Sequence, residues 1–378
     1  MIFFITEYFY PFTDAGGPIR SIENLVKVFT NIYSFKLITS ANNHQGEILP
    51  KNLKSDCFIL DPSIKTDIYF SKNSFKSYCN LFFLFYFNRN HTFYINGLFI
   101  PRLSFLPTLI CKNVIISPRG MLIKDSFGKK AFLKKLYLFL FKKVISKHAV
   151  WHATDKNEVL DIKRFFGANS NIQLIPNIPV RPFLKSKQHT KKVGALRLVY
   201  FGLIAQKKGL LVLIQTLKSL GYPVSLDIYG SVKDQSYWKL CLNELNNNNS
   251  LASFSYKGHA NPAESQTILA GYDAFVLLTK GENFGHSIYE ALSVGTPVII
   301  SNKTPWSFSD SSSPPGWVID YTNDEFDLIK LKQVIQDLYK MESHDYNSCS
   351  VNAHKYAVDF YNSHDFKKQY TELFNSFS

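Results

Sequence analysis

Two glutamates, Glu282 and Glu290, stand eight residues apart in the stretch GENFGHSIYEALSVGTPVII. The first lies in a loop containing Gly and Asn, the second inside a helical pattern. A carboxylate accepts hydrogen bonds through both oxygens, which suits the vicinal hydroxyls of a ribose or hexose. Two such groups flanking a helix N-terminus can grip the sugars at both ends of a nucleotide diphosphate sugar, with backbone N–H groups on the phosphates. A second stretch, YFGLIAQKKG, places Lys207 and Lys208 just ahead of Gly209 and another helical run. A lysine at that position can neutralise a diphosphate. Singly, each residue also fits a plain surface: a solvated lysine, a loop anion, an exposed helix carboxylate. The two glutamates in one strand–loop–helix unit fit a plain surface much less well.

The flanking elements are readable. DAFVLLT (Asp273 to Thr279) has the length and composition of a buried strand, and Ile288, Ala291 and Leu292 recur at helical spacing. Gly295 and Pro297 end that helix, and PVII is the next buried strand. The result is one parallel α/β unit, in which ligands sit at the carboxyl ends of strands. YFG likewise ends a strand before the loop carrying the two lysines.

With 378 residues, 46% of them hydrophobic, the chain has material for two cores. Its first part runs through IFFIT, a helical pattern from about Ile19 to Phe29, then FKLITS, HTFYING and NVIISP as strands. From Pro176 to Lys192 it becomes PNIPVRPFLKSKQHTKK, the best linker candidate, after which a second α/β series begins with LRLVYFG. The expected division is 1–190 and 191–358, with 359–378 as a terminal helix.

Five dispersed cysteines without a C-x-x-C argue for reduced thiols and against a disulfide framework or structural zinc. The N-terminus MIFFITEYFYPF reads as a first strand and not as a signal peptide. LFFLFYF, the most apolar run, is too short to span a bilayer. The net charge of +14 is unevenly spread: residues 1–190 hold 26 Lys and Arg against 11 Asp and Glu, while residues 191–378 hold 17 against 18. A basic half suggests a polyanionic partner: a membrane surface, a nucleic acid or a phosphorylated substrate.

GENFGHSIYEALSVGTPVIIS resembles the E-x7-E segment of retaining GT-B glycosyltransferases, the family 4-like class that builds bacterial polysaccharide and lipopolysaccharide. The resemblance covers about Leu198 to Trp306 through FGLIAQKKG, LDIYG, YKGHA and GTPVIISNKTPW, in order. In the first half GGPIRS, SPRGML, HAT and IPN resemble segments of such enzymes, and DFYNSHDFKKQYTELF resembles the helix that crosses back to the first domain. The implied fold is α/β, GT-B, with two Rossmann-like domains facing each other across a cleft. The implied activity is transfer of a sugar from a nucleotide diphosphate sugar to a saccharide acceptor with retention of configuration, without cofactor or metal.

By that resemblance Glu290 binds the donor ribose, and Glu282 the hydroxyls of the transferred sugar. Lys208 stabilises the departing diphosphate, and the backbone of Asn283, Phe284 and Gly285 lines its pocket. Gly16 and Gly17 let the backbone approach the diphosphate, with Arg20 as a further cation. Two positions depart from the family. Arg119 in SPRG stands where a histidine is usual and is carried over as a charge stabiliser. Leu203 stands where an arginine usually follows the glycine of FG.

No D-x-D triplet occurs in the chain, so the diphosphate is not expected to be held by metal. No G-x-G-x-x-G follows the first strand, which argues against a dinucleotide-dependent oxidoreductase. No zinc-finger or RRM-type signature accompanies the basic half, which argues against nucleic acid. A catalytically impaired sugar-nucleotide-binding protein is the remaining alternative.

GKKAFLKKLYLFLFKKVISKH, Gly128 to His148, holds seven lysines and no acid. On a helix, Phe132, Leu133, Leu136, Phe139, Leu140 and Val144 form one arc, expected to face the core. Lys134, Lys135 and Lys142 lie opposite, together with Leu138 and Ile145. These five residues are expected to meet an anionic bilayer. That face implies a lipid-linked acceptor and a cytoplasmic enzyme peripheral on the inner face of the cytoplasmic membrane.

Overall fold

A computed structural model describes residues 1–10, 17–42, 49, 53–61, 66–123, 131–145, 149–183, 191–247, 249–308 and 312–377. Two compact units emerge, Met1–Ile178 with Asp365–Ser378, and Pro179–His364. The boundaries fall at 178/179 and 364/365, where the sequence suggested 190/191 and 358/359. The linker is tied down locally: Asn24 Nδ2 donates to the Ile178 carbonyl (2.9 Å) in the first unit. Gln266 Nε2 donates to the Arg181 carbonyl (3.3 Å) in the second.

The first unit is built on an eight-stranded sheet. Its strands are β1 (Ile2–Thr6), β2 (Phe35–Ser40), β3 (Phe58–Asp61), β4 (Thr66–Ser71), β5 (Thr92–Asn96), β6 (Asn113–Ser117), β7 (Val150–Ala153) and β8 (Ile172–Leu174). Their order is β3-β4-β2-β1-β5-β6-β7-β8, parallel except for the antiparallel edge strand β3. Ile2 pairs with Phe35 on one side and Thr92 on the other. The helices are α1 (Gly17–Phe29), α2 (Phe75–Phe87), α3 (Phe105–Ile110), α4 (Ala131–Val144) and α5 (Lys156–Phe166). Right-handed crossovers put α2 to α5 on one face, because their connections all run in one direction along the sheet. Phe3, Phe93 and Ile95 bury that face against Leu81 and Phe85 of α2, Phe141 of α4 and Ile162 of α5. On the other face Phe4 and Tyr94 meet Phe374 of the terminal helix α12 (Phe366–Phe374), which also packs on Phe29 of α1.

The second unit has a six-stranded parallel sheet: β9 (Arg197–Phe201), β10 (Ser225–Tyr229), β11 (Ser253–Gly258), β12 (Ala274–Leu277), β13 (Val298–Ser301) and β14 (Gly316–Ile319). Its order is β11-β10-β9-β12-β13-β14. The chain winds outward from β9 in one direction and restarts at β12 in the other. The crevice between the carboxyl ends of β9 and β12 is therefore a topological switch point, where doubly wound folds bind ligands. Around it lie α6 (Leu210–Lys218), α7 (Gln235–Asn246), α8 (Ser265–Leu269), α9 (His286–Ser293), α10 (Leu328–Lys340) and α11 (Ser343–Asn362), with a small hairpin of β15 (Tyr321–Thr322) and β16 (Glu325–Phe326). Leu213, Leu217, Ile288, Leu292, Leu331 and Ile335 bury the helices on the sheet.

The orientation expected for α4 is inverted. Leu138 is only 4% exposed and sits in the core with Phe141, and Ile145 packs half-buried against that core. Phe132, Leu133, Leu136, Phe139 and Leu140 are exposed. The wider apolar arc faces out because Tyr137, Leu138, Phe141 and Ile145 already satisfy the sheet. Lys134 is tolerated beside them: its ammonium lies over the Phe99 ring, 4.8 Å from the centroid.

Candidate active site

At the switch point, β9 ends and the chain turns through a 3-10 turn, Gln206–Lys208, into α6. Gly209 joins the two in the left-handed region (φ +69°), and a Cβ there would lie 2.0 Å from the Leu278 carbonyl oxygen. Only glycine lets this turn lie against the end of β12. The turn separates the two lysines: Lys207 is exposed, Lys208 half-buried.

Lys208 Nζ donates to Glu282 Oε2 from the neighbouring loop, with side-chain exposures of 13% and 21%. The two stretches singled out in the sequence therefore meet through side chains. The loop is fixed from several sides. Lys280 N–H donates to the Lys207 carbonyl (2.7 Å), and Glu282 N–H to the Lys303 carbonyl (2.9 Å). The Trp306 indole N–H donates to the Phe284 carbonyl. Gly285 (φ +74°) then starts α9, and the Ile288 and Tyr289 N–H groups donate to its carbonyl (2.9 and 3.1 Å). Phe284 is buried, its ring 5.3 Å from Trp306 and 6.0 Å from Phe360, so only its backbone is turned to the loop surface's chemistry. Asn283 is half-buried. Glu290 is 4% exposed on α9, not the solvated helix carboxylate of the plain-surface alternative. α9 is held by Tyr289, whose hydroxyl donates to the Ala357 carbonyl (3.2 Å) of α11. Leu203 is half-buried, and its carbonyl accepts from the Tyr200 hydroxyl (2.8 Å).

In the first unit a separate polar network gathers at the carboxyl ends of β5 to β8. Arg119, at φ +55°, donates through Nε to Asn96 Oδ1 (2.5 Å), through Nη1 to Asn177 Oδ1 and through Nη2 to the Tyr94 hydroxyl (2.8 Å). All three acceptors are neutral, so the guanidinium is aimed without being paired through them to a carboxylate. The Tyr94 hydroxyl meets His152 Nδ1 at 2.5 Å, and His152 Nε2 lies 2.7 Å from the Ile175 carbonyl. A carbonyl only accepts, so Nε2 carries the proton and Nδ1 accepts from tyrosine. Glu158 beneath it accepts from the N–H groups of Gly120 and Thr154 (both 2.8 Å). The segments SPRGML, HAT and IPN thus converge on one arginine. Sequence reasoning quoted all three and missed Tyr94 and Asn96, because β5 enters the network through strand adjacency and not through any local motif.

His152 is fully buried, which drives its pKa down to about 3, with the Arg119 charge lowering it further and the Ile175 carbonyl opposing. The unfolded chain therefore binds an extra proton between about pH 3 and 6.5. This stability is fully present above pH 6.5 and drains as pH falls toward 3, by on the order of a few kcal/mol. Urea midpoints at pH 7 and 4.5 should differ, and His152→Gln should lose that share of the difference. Identical pH slopes in both proteins would contradict the assignment.

Gly16 lies outside the described residues. Gly17 is the exposed first residue of α1. Arg20, the further cation of the sequence reading, has Nη1 3.4 Å from Glu23 Oε2, and the same carboxylate accepts from Lys27 Nζ (2.5 Å).

Residues 183–344 match the family model for glycosyl transferases group 1. No curated protein matches the chain at a significant level. Among solved structures, HepE of Anabaena in complex with UDP and glucose is similar, at 13% identity, 99% coverage of both chains and a TM-score of 0.74. Sucrose-phosphate synthase from Thermosynechococcus elongatus is similar at 14% identity and a TM-score of 0.73, covering 99% of this chain and 98% of that one. WaaG, a glycosyltransferase involved in lipopolysaccharide biosynthesis, matches at 13% identity, 99% coverage of both and a TM-score of 0.66. The chain has the GT-B fold, and its residues 183–344 are similar to the glycosyl transferases group 1 family.

Proposed function

We propose that this chain transfers a sugar from a nucleotide diphosphate sugar to a lipid-linked saccharide acceptor, retaining the anomeric configuration, in assembly of a surface polysaccharide such as O-antigen or capsule. The observation that carries the reading is the Lys208–Glu282 pair at the switch point beside the N-terminus of α9. Without donor the two side chains neutralise each other. A bound donor divides them: diphosphate oxygens take Lys208, and sugar hydroxyls take Glu282. Glu290 takes the ribose hydroxyls, while the backbone from Asn283 to Gly285 shapes the space for phosphate and sugar. HepE binds UDP and glucose in its solved complex, which supports a nucleotide sugar as donor. WaaG's role supports a lipopolysaccharide-type acceptor.

In the reaction, the bond from the anomeric carbon to the diphosphate oxygen breaks as the acceptor hydroxyl bonds to the same face of that carbon. The hydroxyl proton passes to the departing phosphate. Negative charge gathers on the diphosphate, where Lys208 and the α9 N-terminus lower the barrier. Metal is not required to hold the diphosphate, a proposal supported by the absence of any D-x-D triplet. The two glutamates bind and position; the acid–nucleophile logic of glycosidases does not apply. The chain works at the inner face of the cytoplasmic membrane, where such an acceptor is presented.

Glu290→Gln should raise the donor KM through lost ribose contacts. Glu282→Ala should act chiefly on kcat by misplacing the reacting sugar. Each charged hydrogen bond lost is worth roughly 1.5–3 kcal/mol, or about 10–150-fold. Labelled nucleotide sugars incubated with bacterial lipid extract, with and without EDTA, test the whole reading. Transfer that survives EDTA and gives a retained anomer is expected. Wild-type kinetics in both variants would remove the two glutamates from the site. A sugar-nucleotide-binding protein without transfer is the second reading, favoured by Leu203 and Arg119 at positions where arginine and histidine are usual. Binding without turnover on any donor would select it.

A further inference from the structure

Three consecutive helices on one face of the first sheet expose apolar side chains that a water-facing layer does not need. α2 buries Ser77, Leu81 and Phe85 on the sheet and turns Phe75, Tyr78, Phe82, Phe83, Tyr86 and Phe87 outward, Phe87 at 78% exposure. The rings stack along the helix, Phe82 on Tyr86 and Phe83 on Phe87, with centroids 6.3 Å apart in each pair. α4 repeats the arrangement, with Phe132 also at 78%. α3 packs between α2 and α4 and exposes Leu109, so the two apolar arcs are linked on one surface.

The charges on this surface are of one sign. Residues 68–154 hold 14 Lys and Arg and a single acid, Asp125. Lys135, Lys142 and Lys143 are exposed on α4 among its apolar residues. Lys143 Nζ lies 4.5 Å from the Phe139 ring centroid, and the Arg89 guanidinium lies 4.5 Å from that of Tyr86. Cations held against exposed aromatic rings have the arrangement of an interfacial helix, with apolar rings in the acyl boundary and long basic stems reaching the headgroups. Among the described residues no helix is long and apolar enough to cross a membrane, and α2 and α4 have only 13 and 14 residues.

We propose that the outer surface of α2, α3 and α4 docks on an anionic lipid bilayer. Rings such as Phe83, Phe87, Phe132 and Phe139 enter the interface, and Lys135, Lys142 and Lys143 bind anionic headgroups. The occupant is a bilayer and not a protein because the exposed cations Lys76 of α2 and Lys135, Lys142 and Lys143 of α4 stand with no acid on either helix, and a fluid anionic surface accepts charge of one sign without matched geometry. This deepens the proposed function, giving a lipid-linked acceptor a surface at which to be met. Its physical basis stands apart from the donor site.

The test is co-sedimentation of the full chain with phosphatidylglycerol-containing vesicles and with pure phosphatidylcholine vesicles, at low and high salt. Wild type should bind the anionic vesicles and release as salt rises. Lys135→Glu/Lys142→Glu/Lys143→Glu should weaken binding on the order of a hundredfold. Phe83→Ser/Phe87→Ser/Phe132→Ser/Phe139→Ser should abolish it at either salt, while Ile329→Ser/Val351→Ser, exposed apolar residues of the second unit, should not. All variants should keep the wild-type melting temperature, since the substituted side chains are exposed. Indifference of wild type to anionic vesicles at low salt overturns the proposal, as does binding that neither set of substitutions reduces. Self-association without vesicle binding, removed by the phenylalanine substitutions, also overturns it by giving the surface to a second copy. Vesicle binding by a protein that binds no nucleotide would leave this surface standing and end the transferase reading instead.

Discussion

Lys208→Ala should lower kcat by about 10²–10³-fold while raising donor KM by less. The cause is specific to the site. Charge on the diphosphate grows as the glycosidic bond breaks, and a fixed cation acts most strongly where charge develops. Leu203 supplies no guanidinium, so the loss is not shared with an arginine at that position. The same substitution strips Glu282 of its partner, so Lys208→Ala and Glu282→Ala should be non-additive in a double-mutant cycle. Lys207→Ala makes the sharpest control. That side chain is exposed, and its backbone carbonyl, which holds Lys280 N–H, survives the change. Near-equal effects of the two lysine substitutions would show that local charge, and not the position of Lys208, is what matters.

Gly209→Ala should be among the most damaging small substitutions in the second unit. The added methyl meets the Leu278 carbonyl oxygen at 2.0 Å and Leu278 Cβ at 2.9 Å, in a backbone conformation disfavoured for L residues. Left-handed strain and overpacking together amount to about 2–5 kcal/mol. In a unit of this size the melting temperature should fall by roughly 5–15 °C. Relief requires moving either the end of β12 or the turn that carries Lys208, so activity should fall even where the protein still folds. Gly221→Ala is the matched control, because nothing lies within 4 Å of its added methyl. Equal melting temperatures for the two variants would mean that the turn is not locked against β12.

The parts of this protein that could be read from sequence are those whose logic is local. Asp273 to Ile300 carries a strand, a glycine-bearing loop, a helix and a strand within one short span, so the place of Glu282 and Glu290 followed from periodicity and turn residues. The meeting of Lys208 with Glu282, 74 residues away, needed the additional rule that ligands gather at strand ends. Arg119 could be named from its motif, but not its aim. Asn96, Tyr94 and Asn177 lie 23, 25 and 58 residues from it and are brought in by sheet order. The rotation of α4 departs from the sequence expectation for a physical reason. Periodicity identifies two faces of a helix, and assigning the broader apolar arc to the core assumes that the other face meets water. Here the narrower face, with Leu138 and Phe141, is sufficient for the core. LFFLFYF in α2 is too short for a span, and its exposure is not legible locally, because it depends on Leu81 and Phe85 being buried and Leu84 partly so while the other rings face out.

The central claim is that the crevice between β9 and β12 holds a nucleoside diphosphate through Lys208 and Glu290. Thermal shift with UDP, GDP, ADP and CMP, for wild type and Lys208→Ala, tests it most directly. One diphosphate should raise the wild-type melting temperature, equivalent to a few kcal/mol at saturation, and should do so much less in Lys208→Ala. A wild-type protein indifferent to every nucleotide, or a shift that Lys208→Ala leaves intact, would contradict the account.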